Sequence, residues 1–97
     1  MKKFYMLRHE DISGNSGTGV VAEGIIFDDG TGAMTWLSSI KTVTTFWKIS
    51  DIKKMHGHEG KTEIIIEGAK KFIECQEKVK EIKIKNKSNK RLLGNSI

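Results

Sequence analysis

The chain predicts a small α+β protein. The expected architecture is a mainly antiparallel sheet or partial barrel in the order ββββ-α-β, followed by a C-terminal helix and a basic tail. Three observations predict it. Several short segments alternate residue types with the period of two that marks strands. An Asp29-Gly30 pair stands between two of them, which is a hairpin signal. Phe72, Cys75, Val79 and Ile82 then recur at helical spacings of three, four and three.

Lys3 to Arg8 is the first strand, with Phe4 and Met6 on one side and Tyr5 and Leu7 on the other. Ser13 to Gly19 is a loop, because its glycines admit tight backbone turns. Val20 to Phe27 is the second strand. Strict alternation puts Val20, Ala22, Gly24 and Ile26 on one side and Val21, Glu23, Ile25 and Phe27 on the other. Asp29-Gly30 is expected to form a two-residue type I′ turn into a third strand, Thr31 to Leu37, which carries Met34 and Trp36 on one face. Thr42 to Trp47 is rich in β-branched and aromatic residues and makes a fourth. Ser50 is positioned as the N-cap of a short helix, Asp51 to about Met55, and Gly57 as its stop. Lys61 to Glu67 is the last strand.

Gly68 is the best boundary, dividing a small β-rich domain, residues 1–67, from a helical extension and basic tail, residues 68–97. Lys70/Glu74, Glu74/Lys78 and Glu81/Lys85 are i,i+4 pairs that support a helix. Ile82-Lys83-Ile84-Lys85 also alternates and could be strand. The apolar stripe of Phe72, Cys75, Val79 and Ile82 either packs on the sheet or makes a helix–helix seam in a dimer. From Asn86 onward the chain is polar and basic apart from Leu92-Leu93.

Ninety-seven residues bound the chain to one small globular unit with a modest core, which self-association would help to stabilise. A homo-oligomer is therefore expected. The hydrophobic fraction is 37%, and no apolar run approaches the length of a membrane span, so no membrane partner is expected. No apolar region follows Met1-Lys2-Lys3, so no secretion signal is expected. The single cysteine, Cys75, excludes an intramolecular disulfide, and the compartment reads as cytoplasmic. Residues 1–67 hold eight Lys/Arg against nine Asp/Glu, whereas residues 68–97 hold nine against three. The basic character belongs to the C-terminal third, so any nucleic-acid reading is confined to the Lys70–Arg91 segment.

The chemistry concentrates in two stretches, Arg8 to Gly24 and His56 to Thr62. Gly14, Gly17 and Gly19 follow the pattern G-x-x-G-x-G, which is neither a dinucleotide fingerprint nor a P-loop. Backbone N–H groups around such glycines can nonetheless form an anion-binding nest, with Ser13, Ser16 and Thr18 as added donors. The bland reading of the same residues is a surface turn. Glu23 is either a carboxylate in the core, needing Arg8, His56 or His58 as partner, or a solvated edge group. His56 and His58 flank Gly57, and His9 could join them. That H-x-H spacing is weak evidence for zinc, and hydrogen bonding to loop backbone or to an anionic ligand is the favoured role. No cofactor or metal is expected. The hydroxyls have no nucleophile-elbow context, so catalysis is not expected either.

The run R-x-E-D-x-S-G-x-S-G-T-G-x-V-A-E-G, then D-G-T, W-L-S and H-G-H-x-G-x-T, resembles a group of short uncharacterised bacterial and phage proteins. The likeness covers roughly Phe4 to Ile66 and implies that Arg8, Glu10, Asp11, Ser13, Gly14, Ser16 to Gly19, Glu23, Gly24, Trp36, His56, Gly57, His58, Gly60 and Thr62 form one constellation. The similar proteins tend to stop near the last strand, which implies that residues 68–97 are an addition. The expected function is non-catalytic binding of a small anionic, nucleotide-like ligand. Arg8, Ser13, Ser16, Gly17, Thr18, Gly19, Glu23, Trp36, His56, His58 and Thr62 would hold it. Among small phage proteins the analogous role is sequestration of a host signalling nucleotide. The alternatives are a nucleic-acid-binding module that uses the basic segment and a protein–protein inhibitor or adaptor.

Overall fold

A computed structural model of the chain describes residues 1–9, 19–38, 41–57 and 60–94. Five strands, β1 (Lys2–Arg8), β2 (Gly19–Ile26), β3 (Gly32–Trp36), β4 (Val43–Phe46) and β5 (Thr62–Ile66), form one sheet in the order β4-β3-β2-β1-β5. Every neighbouring pair is antiparallel. The sheet is open, so of the two expected arrangements the partial barrel is set aside. Two helices complete the fold, α1 (Ile49–His56) and α2 (Phe72–Gly94).

Each helix covers a different face. On the α1 side, Phe4, Met6, Val21, Ala22, Met34 and Phe46 pack with Ile52, which is nearly inaccessible. On the α2 side, Tyr5, Val20 and Ile65 pack with Phe72, Cys75 and Val79. Thus Phe72, Cys75 and Val79 of the apolar stripe lie against the sheet. The segment is helix from Phe72 through Gly94, past the point where sequence suggested a tail.

The second strand departs from strict alternation. Met6 pairs with Ala22, but Leu7 pairs with Val20, so Val21 is an extra residue in β2. A bulge of this kind bends the strand and turns two successive side chains toward one face. Val21 therefore joins Ala22 on the α1 side, and Val20 goes to the α2 side, which corrects the expected face assignment.

The hairpin also differs from expectation. The Phe27 N–H donates to Thr31 O at 2.7 Å and the Gly30 N–H donates to Phe27 O at 2.9 Å, enclosing a three-residue loop rather than a two-residue turn. Gly30 takes φ 92, the left-handed position that closes such loops. The Asp29 carboxylate accepts from the Thr31 N–H at 3.0 Å and from the Thr31 hydroxyl at 2.6 Å, which fixes the longer loop and lowers the Asp29 pKa. The short helix begins at Ile49, with Lys48 as N-cap and no capping side chain, so Ser50 lies inside it. Packing of Ile49 against the α1-side core outweighs the missing cap. No helix among the described residues is long and apolar enough to cross a membrane.

Candidate functional site

The two glycine-containing stretches meet. Arg8, at the end of β1, is the register partner of Thr62 at the start of β5 and of Gly19 at the start of β2. The His9 N–H donates to Lys61 O at 2.7 Å and extends that pairing by one residue. Gly57 ties the second stretch together, because its carbonyl accepts from both Gly60 N–H and Thr62 N–H at 3.1 Å. One end of the sheet therefore gathers Arg8, Gly19 and Thr62. Gly19 has φ 90, a conformation that disfavours any side chain there.

Arg8 continues the Phe4, Met6 alternation and so stands on the α1 face, as does Thr62, which alternates with Ile64 and Ile66. Both are only 6% exposed. Arg8 Nε and Thr62 Oγ1 are buried and have no hydrogen-bond partner among the described residues. Buried polar atoms are nearly always paired, so two orphans on neighbouring strands are informative. Trp36 and His56 lie on the same face, the indole meeting the imidazole edge-on with ring centroids 5.3 Å apart. Trp36 is half-buried and pairs across the ladder with Ala22.

Not every expected residue belongs there. Glu23 pairs with Tyr5 and points to the α2 face, where it meets Lys83 Nζ at 2.9 Å. The sheet itself separates it from Arg8 and His56, so Glu23 leaves the constellation. Its carboxylate, with burial as the larger cause, raises the pKa of the neighbouring Tyr5 hydroxyl. His9 also turns away from His56, for its Nε2 donates to Glu63 Oε1 at 2.6 Å. Lys71 Nζ donates to the same oxygen at 3.0 Å. Lys71 first and His9 second hold the Glu63 pKa below the ordinary carboxylate value. Sequence reasoning missed this clamp, although Glu63 alternates with Thr62 and Ile64 and so had to face the other side. Ser13, Ser16, Gly17, Thr18 and His58 lie outside the described residues.

Cys75 is 3% exposed and packs against the sheet, and burial foremost pushes its thiol pKa up. A raised thiol pKa disfavours the thiolate, so Cys75 is a packing residue. Hollows lined by described residues occur on other parts of the surface. One of about 470 Å³ lies between α2 and the sheet, and one of about 210 Å³ lies beside His9, Lys71 and Cys75.

At the Arg8 end the arrangement offers a guanidinium, a hydroxyl, a glycine-flanked backbone and an indole edge. A guanidinium and a hydroxyl are donors of a kind that can bind anions, and an indole is an apolar plate. The Acb5 phage protein family model matches residues 1–67, a span that contains this whole end of the sheet. No curated protein and no solved structure matches the chain.

Proposed function

The chain belongs to the Acb5 phage protein family, and from that premise we propose that it is a non-catalytic binding protein for a small anionic, nucleotide-like ligand. The observation that carries the reading is the pair Arg8 Nε and Thr62 Oγ1, buried on neighbouring strands with no hydrogen-bond partner among the described residues. A phosphate oxygen is the acceptor that a guanidinium and a hydroxyl recognise best together. The run from Ser13 to Gly19, of which residues 13–18 lie outside the described residues, is rich in N–H and hydroxyl donors. Trp36 and His56 offer ring edges for a base.

In a member of a phage protein family, binding without turnover acts by withholding. The ligand is a host signalling nucleotide kept from its receptor. Such a protein needs no nucleophile, and the buried thiol of Cys75 lies on the other face from this site.

The test is thermal unfolding of the full chain with inorganic phosphate, nucleosides, and linear and cyclic nucleotides. A bound compound at a hundred times its Kd stabilises by about 2.7 kcal/mol, a readily measured shift in midpoint. The bound nucleotide is then recovered intact by chromatography after denaturation. Arg8→Met abolishes the shift. If no compound at millimolar concentration moves the midpoint, the reading is wrong; if the recovered nucleotide is cleaved, the protein is an enzyme.

A further inference from the structure

We infer that the open half of the α2 face is a docking trough for an acidic amphipathic helix of a partner protein. Strands in a sheet lie about 4.8 Å apart, so five of them span about 20 Å between outer axes. A helix with its side chains is about 10 Å wide and covers half of that. Through Phe72, Cys75 and Val79, α2 packs on Tyr5 of β1, Val20 of β2 and Ile65 of β5. β3 and β4 have no helix over this face among the described residues, and two strands present about the width of one more helix.

The floor of this half is apolar. Ile25, Ala33 and Val43 line a hollow of about 470 Å³ that runs along the flank of α2. Val43 is 69% exposed although it is β-branched, aliphatic and on the sheet surface. The wall is of the opposite character. Gln76, Lys80 and Lys83 stand at i, i+4 and i+7 on α2 and so form one stripe facing the hollow. Lys3 adds a third cation on the lining; Lys83 meets Glu23 at 2.9 Å and Lys80 meets the exposed Glu77 at 3.3 Å, which leaves the wall with a net positive charge.

An apolar floor beside a cationic wall selects an occupant with apolar residues along one stripe and carboxylates along its flank. A second copy of this chain does not supply one. The α1 segment carries Asp51 against Lys53 and Lys54, and α2 carries three Glu against six Lys and Arg91. Either helix of a second copy would bring positive charge against the lysine wall. An acidic helix brings the complementary sign, with its apolar residues on Ile25, Ala33 and Val43.

The test uses the full chain and two synthetic helix-forming peptides with the same leucine stripe, one flanked by Glu and one by Lys, followed by fluorescence anisotropy. The Glu peptide binds, and its affinity falls on the order of tenfold from low to high salt. Lys80→Glu reverses the preference between the peptides. Val43→Glu weakens the Glu peptide by a similar factor and leaves the unfolding midpoint unchanged, since both positions are exposed. Equal binding of the two peptides, or no binding of either at millimolar concentration, overturns the proposal. So does sedimentation showing a dimer that Val43→Glu dissociates, because the occupant is then a second copy.

Discussion

Arg8 and Thr62 face each other across the β1–β5 ladder, both inside the protein, with Arg8 Nε and Thr62 Oγ1 unpaired among the described residues. Leaving a buried donor without an acceptor costs about 1–3 kcal/mol. Among the described residues nothing offsets that cost at this end of the sheet, and an incoming acceptor would. Stability and binding are thus opposed at these two positions.

Thr62→Val should expose that opposition. Valine keeps the shape of threonine and deletes the orphaned hydroxyl. The free variant is therefore as stable as the parent or more stable by up to about 1 kcal/mol in urea unfolding. Its stabilisation by nucleotide is smaller than the parent's. A free variant that is destabilised by more than that amount would mean that Oγ1 has a partner in the free protein.

The seating of α2 is tested by two adjacent residues. Phe72 is buried with its ring centroid 5.0 Å from that of Tyr5, whereas Ile73 is 69% exposed. Truncating a buried Phe costs about 3–5 kcal/mol. Phe72→Ala is expected near the lower bound, because the residue lies at the start of its helix and its surroundings can relax. Ile73→Ala should stay within about 0.5 kcal/mol. Denaturant midpoints measure both, and equal losses would show that the helix is rotated about its axis relative to the sheet.

What could be read from sequence follows from how local each signal is. Tyr5 and Leu7 against Phe4 and Met6 announce a strand with two covered faces, and the spacing of Phe72, Cys75 and Val79 announces the helix that covers one of them. The bulge at Val21 was invisible because Val20-Val21-Ala22 is an unbroken apolar run, and its register is set by β1 rather than by β2 itself. The hairpin was read one residue short because the Asp29–Thr31 side-chain bonds compete with the backbone preference of Asp-Gly. At the site, the meeting of Arg8 with Thr62 depends on β5 pairing with β1 after a helix has crossed the sheet, which no local pattern encodes. Glu23 was misplaced for the same reason, since its partner Lys83 arrives on a helix sixty positions later.

The sole tyrosine reports on the α2 face directly. Burial, and next the charge of Glu23, disfavour the phenolate of Tyr5 and raise its pKa. An alkaline titration followed by ultraviolet absorbance should show one phenolate step, above the ordinary value near 10. The sign for stability follows from that direction. The neutral hydroxyl's contribution is complete below the unfolded value and is lost as pH rises through the folded one. Glu23→Gln removes a negative neighbour and leaves Lys83 nearby, so the step moves down without reaching the model-compound value, because burial persists. An unmoved step would separate Glu23 from Tyr5.

Glu63 makes the corresponding prediction at acid pH. Its carboxylate accepts from Lys71 and His9, which join the start of α2 and the end of β1 to β5. Its pKa is lowered on folding, so the ionised form stabilises the fold. That contribution is complete above the ordinary carboxylate value and is lost as pH falls through the lowered one. Glu63 is 39% exposed, so screening keeps the effect below about 1 kcal/mol. Glu63→Gln should therefore unfold earlier than the parent near neutral pH, and the difference should shrink in acid and in high salt. The ratio of parent to variant midpoints across pH checks this. A difference that survives full protonation would show that the charge of Glu63 is not its cause, since a protonated carboxyl and an amide are nearly isosteric and neither carries charge.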